Sequence, residues 1–237
     1  MRPRDEAKDI WIHLGELRRR LLISLAALIA AALLSLYFSP TLAEILAQPI
    51  GGTSVLVAIE VTENISVMMN IALLSGFTLA LPVILFQLVS FLLPGLMPHE
   101  QKWLLASIPL LTLFFIGGVL FAYFVMLPAA LPFLMGLLGI RTQPRPGPYF
   151  EFVLTLLAGV GLVFETPLLV LVLARLRLVS AGMLAKQWRI ALVAIAVLAA
   201  VITPTGDPLN MGLLMLPLTG LYLISILFAA LARPKGG

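Results

Sequence analysis

Cysteine is absent from this 237-residue chain, which removes disulfides, thiolate metal sites and cysteine nucleophiles together. Charge is scarce too: 11% of residues are Asp, Glu, Lys or Arg, where a soluble domain carries about 25%. The two histidines, His13 and His99, stand in separate segments and make no pair. No Walker A loop, HExxH helix or Gly-x-Ser-x-Gly elbow occurs. An enzyme reading is left without nucleophile, metal set or acid–base pair, and neither catalytic residues nor a cofactor are expected. An internal repeat is missing as well, so an inverted-repeat transporter gains no support.

Apolar sequence fills the space. The chain is 61% hydrophobic with a mean hydropathy of +1.11, which defines an integral membrane protein and suggests a single domain over residues 1–237. Six apolar runs are candidate spans: Leu21 to Phe38, then about Ile65 to Leu93, Trp103 to Leu127, Phe152 to Ala174, Ile190 to Ile202, and Leu209 to Leu231. The fifth, about 13 residues, is shorter than the roughly 17–25 a spanning helix needs. No alternating ten-residue barrel pattern is visible, so the spans are read as helices. The first run exceeds a signal-peptide core and is followed by similar runs, so it is not read as a cleaved leader.

Basic residues set the expected direction. With the N-terminus in the cytoplasm, only Arg141 and Arg145 of the 15 Lys and Arg fall on the opposite side. Six spans return the C-terminus, residues 232–237, to the cytoplasm. The pI near 9.8 is therefore assigned to orientation and anionic lipid, with no nucleic-acid partner. The outer connections are expected at 39–64 and 128–151, and the alternation Arg145-Pro146-Gly147-Pro148 argues against regular structure in the second.

Three carboxylates stand out. Glu16 lies in a cytoplasmic segment, 1–20, within His13-Leu14-Gly15-Glu16-Leu17-Arg18-Arg19-Arg20. It is spaced to staple Arg19 or Arg20 at i,i+3 or i,i+4, or to meet a cationic partner at the membrane surface. Glu100 follows Pro98 between spans two and three, where it either caps a helix start or binds a ligand. Glu165 sits mid-span before Pro167; ionisable groups at that depth face protein or water, as a buried acid or in a functional polar cavity. A proton- or ion-coupled secondary transporter using Glu165 is the alternative this residue allows.

The pattern as a whole resembles TatC, the core subunit of the twin-arginine protein translocase. The match runs through His13-Leu-x-Glu16-Leu-Arg18-x-Arg20, Gln48-Pro49, Pro82-Val-Ile-Leu-Phe-Gln87 and Phe91-x-x-Pro94-Gly95-Leu96-x-x-x-Glu100. It continues through Phe121-Ala-Tyr-Phe124 with Pro128, Phe164-Glu165-x-Pro167, and Thr203-Pro204-x-x-Asp207-Pro208 with Met211, Pro217 and Leu221-Tyr222. The resemblance implies an all-α membrane protein, six helices in a glove-shaped bundle with both termini cytoplasmic, set in the cytoplasmic membrane. It implies a receptor for twin-arginine signal peptides that exports folded proteins on the proton-motive force, in an oligomeric complex with single-span subunits of TatA or TatB type. Glu16 and Glu100 would take the arginine pair, with Phe91, Pro94, His13 and Arg18 beside them. Glu165, Pro167 and Gln87 would form an intramembrane polar or partner-helix site, and Pro49, Asp207 and Tyr222 would serve structure or assembly. Leu223 departs from the glutamate many relatives carry, and the Arg-Pro-rich stretch 141–148 has no counterpart role.

Overall fold

The computed structural model describes residues 3–92, 98–136, 143–175, 178–203 and 208–231; for 3–13, 92, 98–100, 103, 209 and 210 only the backbone is described. Helix α1 covers Pro3–Ala47, α2 Glu63–Leu92 and α3 Pro98–Phe121. A π-helical turn at Ala122–Met126 joins α3 to α4, Leu127–Gly136. Then follow α5 Pro146–Phe164, α6 Thr166–Arg175, the short α7 Ala181–Lys186, α8 Trp188–Ile202 and α9 Pro208–Leu231. No strand occurs among the described residues.

Among the described residues, five segments are long and apolar enough to cross a membrane: Leu14–Ile50, Glu63–Phe91, Leu104–Gly136, Pro146–Arg175 and Met211–Leu231. The sixth, α8, has 15 residues and reaches about 22 Å, short of a hydrocarbon core of about 30 Å.

Two connections are shorter than the sequence suggests. Helix α1 does not stop at Phe38 but runs through Pro40 to Ala47. Proline removes the N–H that would bond the carbonyl four residues earlier. That carbonyl belongs to Leu36, and the buried Ser39 hydroxyl donates to it instead at 2.8 Å. Helix α4 likewise extends past Pro128 to Gly136, and α5 starts at Pro146, inside the stretch expected to be irregular. Pro146 and Pro148 are tolerated because the first turn of a helix has no use for their missing N–H groups.

The end of α1 is tied to distant elements. A helix leaves its last carbonyls unbonded. Here Ile45 accepts from the Tyr123 hydroxyl in the π turn at 2.6 Å, and Leu46 accepts from the Tyr149 hydroxyl in α5 at 2.7 Å. Ala47 accepts from the N–H of Gly52 at 3.0 Å, in a turn where Gly51 and Gly52 both take positive φ.

The core lies along α5, whose Val153, Leu156 and Val160 are almost wholly enclosed, between α2, the π turn, α4, α8 and α9. Helix α1 packs on α2 and leaves much of its apolar surface outward, with Leu21, Leu33 and Leu34 exposed as lipid-facing residues are. The backbones meet where Gly76 faces Ala32: a Cβ at Gly76 would lie 2.5 Å from the Ala32 Cα. Small residues allow such approaches between membrane helices.

Candidate functional site

Glu16 and Arg20 lie one turn apart on α1. The Nε and Nη2 of Arg20 donate to Glu16 Oε1 at 3.1 and 2.5 Å, so the staple expected from spacing forms with Arg20. The same guanidinium extends Nη1 to the Gln87 side-chain carbonyl on α2 at 3.5 Å. Arg20 thus joins a carboxylate on one helix to an amide on the next. Spacing along α1 predicts the first contact; the second depends on how α1 and α2 pack.

This link fixes one end of the bundle. Gln87 lies one turn before Phe91, which is half-buried in the last turn of α2. The chain then passes to α3, whose first turn carries Glu100. Glu16, Arg20 and Gln87 thus meet near the end of α2, and the backbone of Glu100 lies in the first turn of the next helix, α3. Arg18 is exposed on α1, on the open surface it shares with Gly15, Arg19 and Leu22. Pro94 and the side chains of His13 and Glu100 lie outside the described residues, as does Asp207.

Glu165 occupies the single non-helical residue between α5 and α6. Its side chain is buried, and Oε1 has no hydrogen-bond partner among the described residues. Pro167, fully enclosed, stands in the first turn of α6, as the sequence placement of a local helix break requires. Tyr222 of α9 donates its hydroxyl to the Leu184 carbonyl in α7 at 2.5 Å, which anchors the segment leading into α8. Pro49 opens the 3-10 turn after α1, and Leu223 points outward from α9.

A second polar cluster was not singled out by the sequence. Glu63, at the start of α2, accepts from the Gly147 N–H at 2.9 Å and the Ile59 N–H at 3.3 Å. The Arg145 guanidinium lies 3.4 Å from it and 3.5 Å from Glu60. The Val57 N–H donates to the Pro144 carbonyl at 3.2 Å, completing the junction of the two connections. A lone arginine among prolines, facing acids in the other connection, is the only sequence signal for it.

Among the described residues, five long apolar segments, a shorter sixth and a charged cassette before the first define a multi-pass helical membrane protein. Residues 12–217 match the family model for the Sec-independent protein translocase protein TatC. The chain is 36% identical over 234 residues to the Sec-independent protein translocase protein TatC of Carboxydothermus hydrogenoformans, covering 98% of this chain and 96% of that one. It is 37% identical to the TatC of Deinococcus radiodurans, covering 98% and 89%. Its structure is similar to a crystal structure of the twin arginine translocase receptor TatC, with a TM-score of 0.81, 35% identity, and coverage of 93% of this chain and 99% of the other. The chain belongs to the TatC family. It is a protein translocase component, and the ion-coupled transporter reading is not favoured.

Proposed function

We propose that this protein is the receptor for twin-arginine signal peptides in its translocase, with Glu16 and Glu100 as the two carboxylates that accept the arginine pair. The observation that carries the reading is the Glu16–Arg20 pair: this carboxylate already holds a guanidinium, close to Gln87 near the end of α2, and Glu100 follows in the first turn of α3. Arginine offers a planar fork of donors to a carboxylate, whereas lysine offers a compact point charge, so such a site favours arginine. Phe91, and by sequence Pro94, His13 and Arg18, supply the surroundings of the site.

The protein works in the cytoplasmic membrane with both termini and the cassette on the cytoplasmic side, as the placement of Arg and Lys supports. Folded cargo crosses in a complex with single-span partner subunits, driven by the proton-motive force, with no chemical turnover by this chain. Glu165 acts after recognition, as a polar contact deep in the membrane for a signal-peptide segment or a partner's helix; its burial at a break in the helix supports this. The short α8 thins the bilayer locally, since about 22 Å of helix must meet about 30 Å of hydrocarbon.

The test is binding of a twin-arginine signal peptide to the purified protein, with a twin-lysine peptide as control, in the unaltered chain and in Glu16→Gln and Glu100→Gln. Arginine-specific capture that weakens in both variants supports the reading. Equal capture of the two peptides by the unaltered chain overturns it.

A further inference from the structure

Arg20 occupies the carboxylate that the proposed function reserves for an incoming arginine. Its Nε and Nη2 sit on Glu16 Oε1, while Nη1 reaches 3.5 Å to Gln87 Oε1. The Arg20 side chain is 22% exposed and that of Glu16 31%, so the pair is accessible to exchange. A ligand guanidinium cannot take Oε1 in the same geometry while Arg20 remains there. Arg20 does have a second acceptor within reach, on a different helix.

We infer that Arg20 is a resident competitor for the signal-peptide arginine: it neutralises Glu16 until a peptide guanidinium displaces it, and is then held by Gln87. The inference rests on the reading of Glu16 as a recognition carboxylate. Its physical basis is an exchange of like for like. Glu16 holds one guanidinium before binding and one after, so its net contribution falls short of that of an unpaired carboxylate and the complex stays reversible. An unoccupied carboxylate at a membrane surface would also attract any cationic segment; with Arg20 in place every competitor meets the same threshold. Gln87 lowers the cost of displacement, because its carbonyl already accepts from Nη1 and keeps the guanidinium bonded to protein when Nε and Nη2 leave Glu16.

The prediction differs in sign from that of a positioning role. If Arg20 competes, Arg20→Gln tightens binding of a twin-arginine signal peptide by roughly two- to fivefold, the range expected for removing a partly exposed ion pair. The weak binding of the twin-lysine peptide rises by the same factor, leaving their ratio unchanged. If Arg20 instead holds Glu16 in place, Arg20→Gln weakens binding and hurts the arginine peptide more.

Gln87 supplies the second arm. Gln87→Glu gives the displaced guanidinium a better acceptor and should tighten binding; Gln87→Leu removes the acceptor and should loosen it. Both effects should vanish in the Arg20→Gln background. The measurement is peptide affinity for the full-length purified protein, by fluorescence anisotropy with a labelled signal peptide. Weaker binding in Arg20→Gln, or Gln87 effects that persist without Arg20, overturns the inference. Glu16→Gln run alongside separates the two failures. If it leaves twin-arginine affinity unchanged, the recognition role of Glu16 falls and takes the inference with it. If it lowers affinity while Arg20→Gln also does, only the inference falls.

Discussion

The carboxylate of Glu63 accepts a hydrogen bond at 2.9 Å from the backbone N–H of Gly147, 84 positions further along the chain. Glu63 is the first residue of α2 and Gly147 lies in the first turn of α5, so a side chain at the start of one helix accepts from the start of another. First-turn N–H groups lack partners inside their helix, and a carboxylate is the natural acceptor for them. The bond, with the Arg145 contacts beside it, joins the two connections flanking α2 and α5.

Glu63→Ala should therefore lower thermal stability in detergent more than Arg145→Ala. The first change strips acceptors from Gly147, Ile59 and Arg145 together; the second removes a half-exposed guanidinium. Gly147→Ala tests the same junction, since its Cβ would meet Glu63 Oε1 at 2.9 Å. Equal melting shifts for Glu63→Ala and Arg145→Ala would show that the ion pair, and not the backbone bonds, holds the junction.

Gly76→Val should separate α1 from α2. The added carbons meet backbone atoms of Ala32 at 2.5 to 2.6 Å, and backbone cannot rotate away as a side-chain tip can. Overpacking of this kind costs about 1–3 kcal/mol. The melting temperature in detergent should fall below that of the Gly76 protein. An unchanged melting temperature would show that the helices yield without cost.

Ser39→Ala should destabilise the protein although it removes a single oxygen. The Leu36 carbonyl then loses the hydroxyl that replaces the missing Pro40 N–H. Leaving a buried carbonyl unbonded costs about 1–3 kcal/mol. In the double variant Ser39→Ala, Pro40→Ala the backbone N–H returns and stability should recover. No recovery would mean that Ser39 acts through packing alone.

Loss of Glu100 should weaken twin-arginine peptide binding by roughly 10- to 150-fold, because a hydrogen bond to a charged group contributes about 1.5–3 kcal/mol. The twin-lysine peptide should lose little. Glu16→Gln also releases Arg20, so its net loss should be the smaller of the two. Titration of labelled peptide against both variants measures this, and a larger loss for Glu16→Gln would contradict the exchange of guanidinium groups.

Glu165→Leu should melt no lower than the unaltered protein, since it removes a buried carboxyl whose Oε1 has no partner among the described residues. Signal-peptide binding should persist while transport into membrane vesicles falls, and Glu165→Gln should be mild. Normal transport by Glu165→Leu would reduce the residue to a tolerated buried acid.

Much of this architecture is legible in one dimension. Apolar run length is a local property, and bilayer thickness supplies the yardstick, so the six runs, the shortness of 190–202 and the break near Glu165 need no knowledge of packing. The Glu16–Arg20 staple is local too, because helix geometry brings residues four apart together.

What only the tertiary structure decided is where long-range partners override local rules. Pro40 breaks a helix by its own chemistry, yet α1 continues because Ser39 repairs the lost bond. Arg145-Pro146-Gly147-Pro148 reads as irregular chain, yet it starts α5, because prolines suit a first turn and Glu63 accepts the Gly147 N–H. The last carbonyls of α1 find their donors on Tyr123 and Tyr149, 78 and 103 positions away. Gln87 becomes the second acceptor of Arg20 only because α1 crosses α2 there. Hydrogen-bond partners and side-chain neighbours that far apart in sequence are set by how helices cross, and crossing is a property of complementary surfaces that no single segment contains.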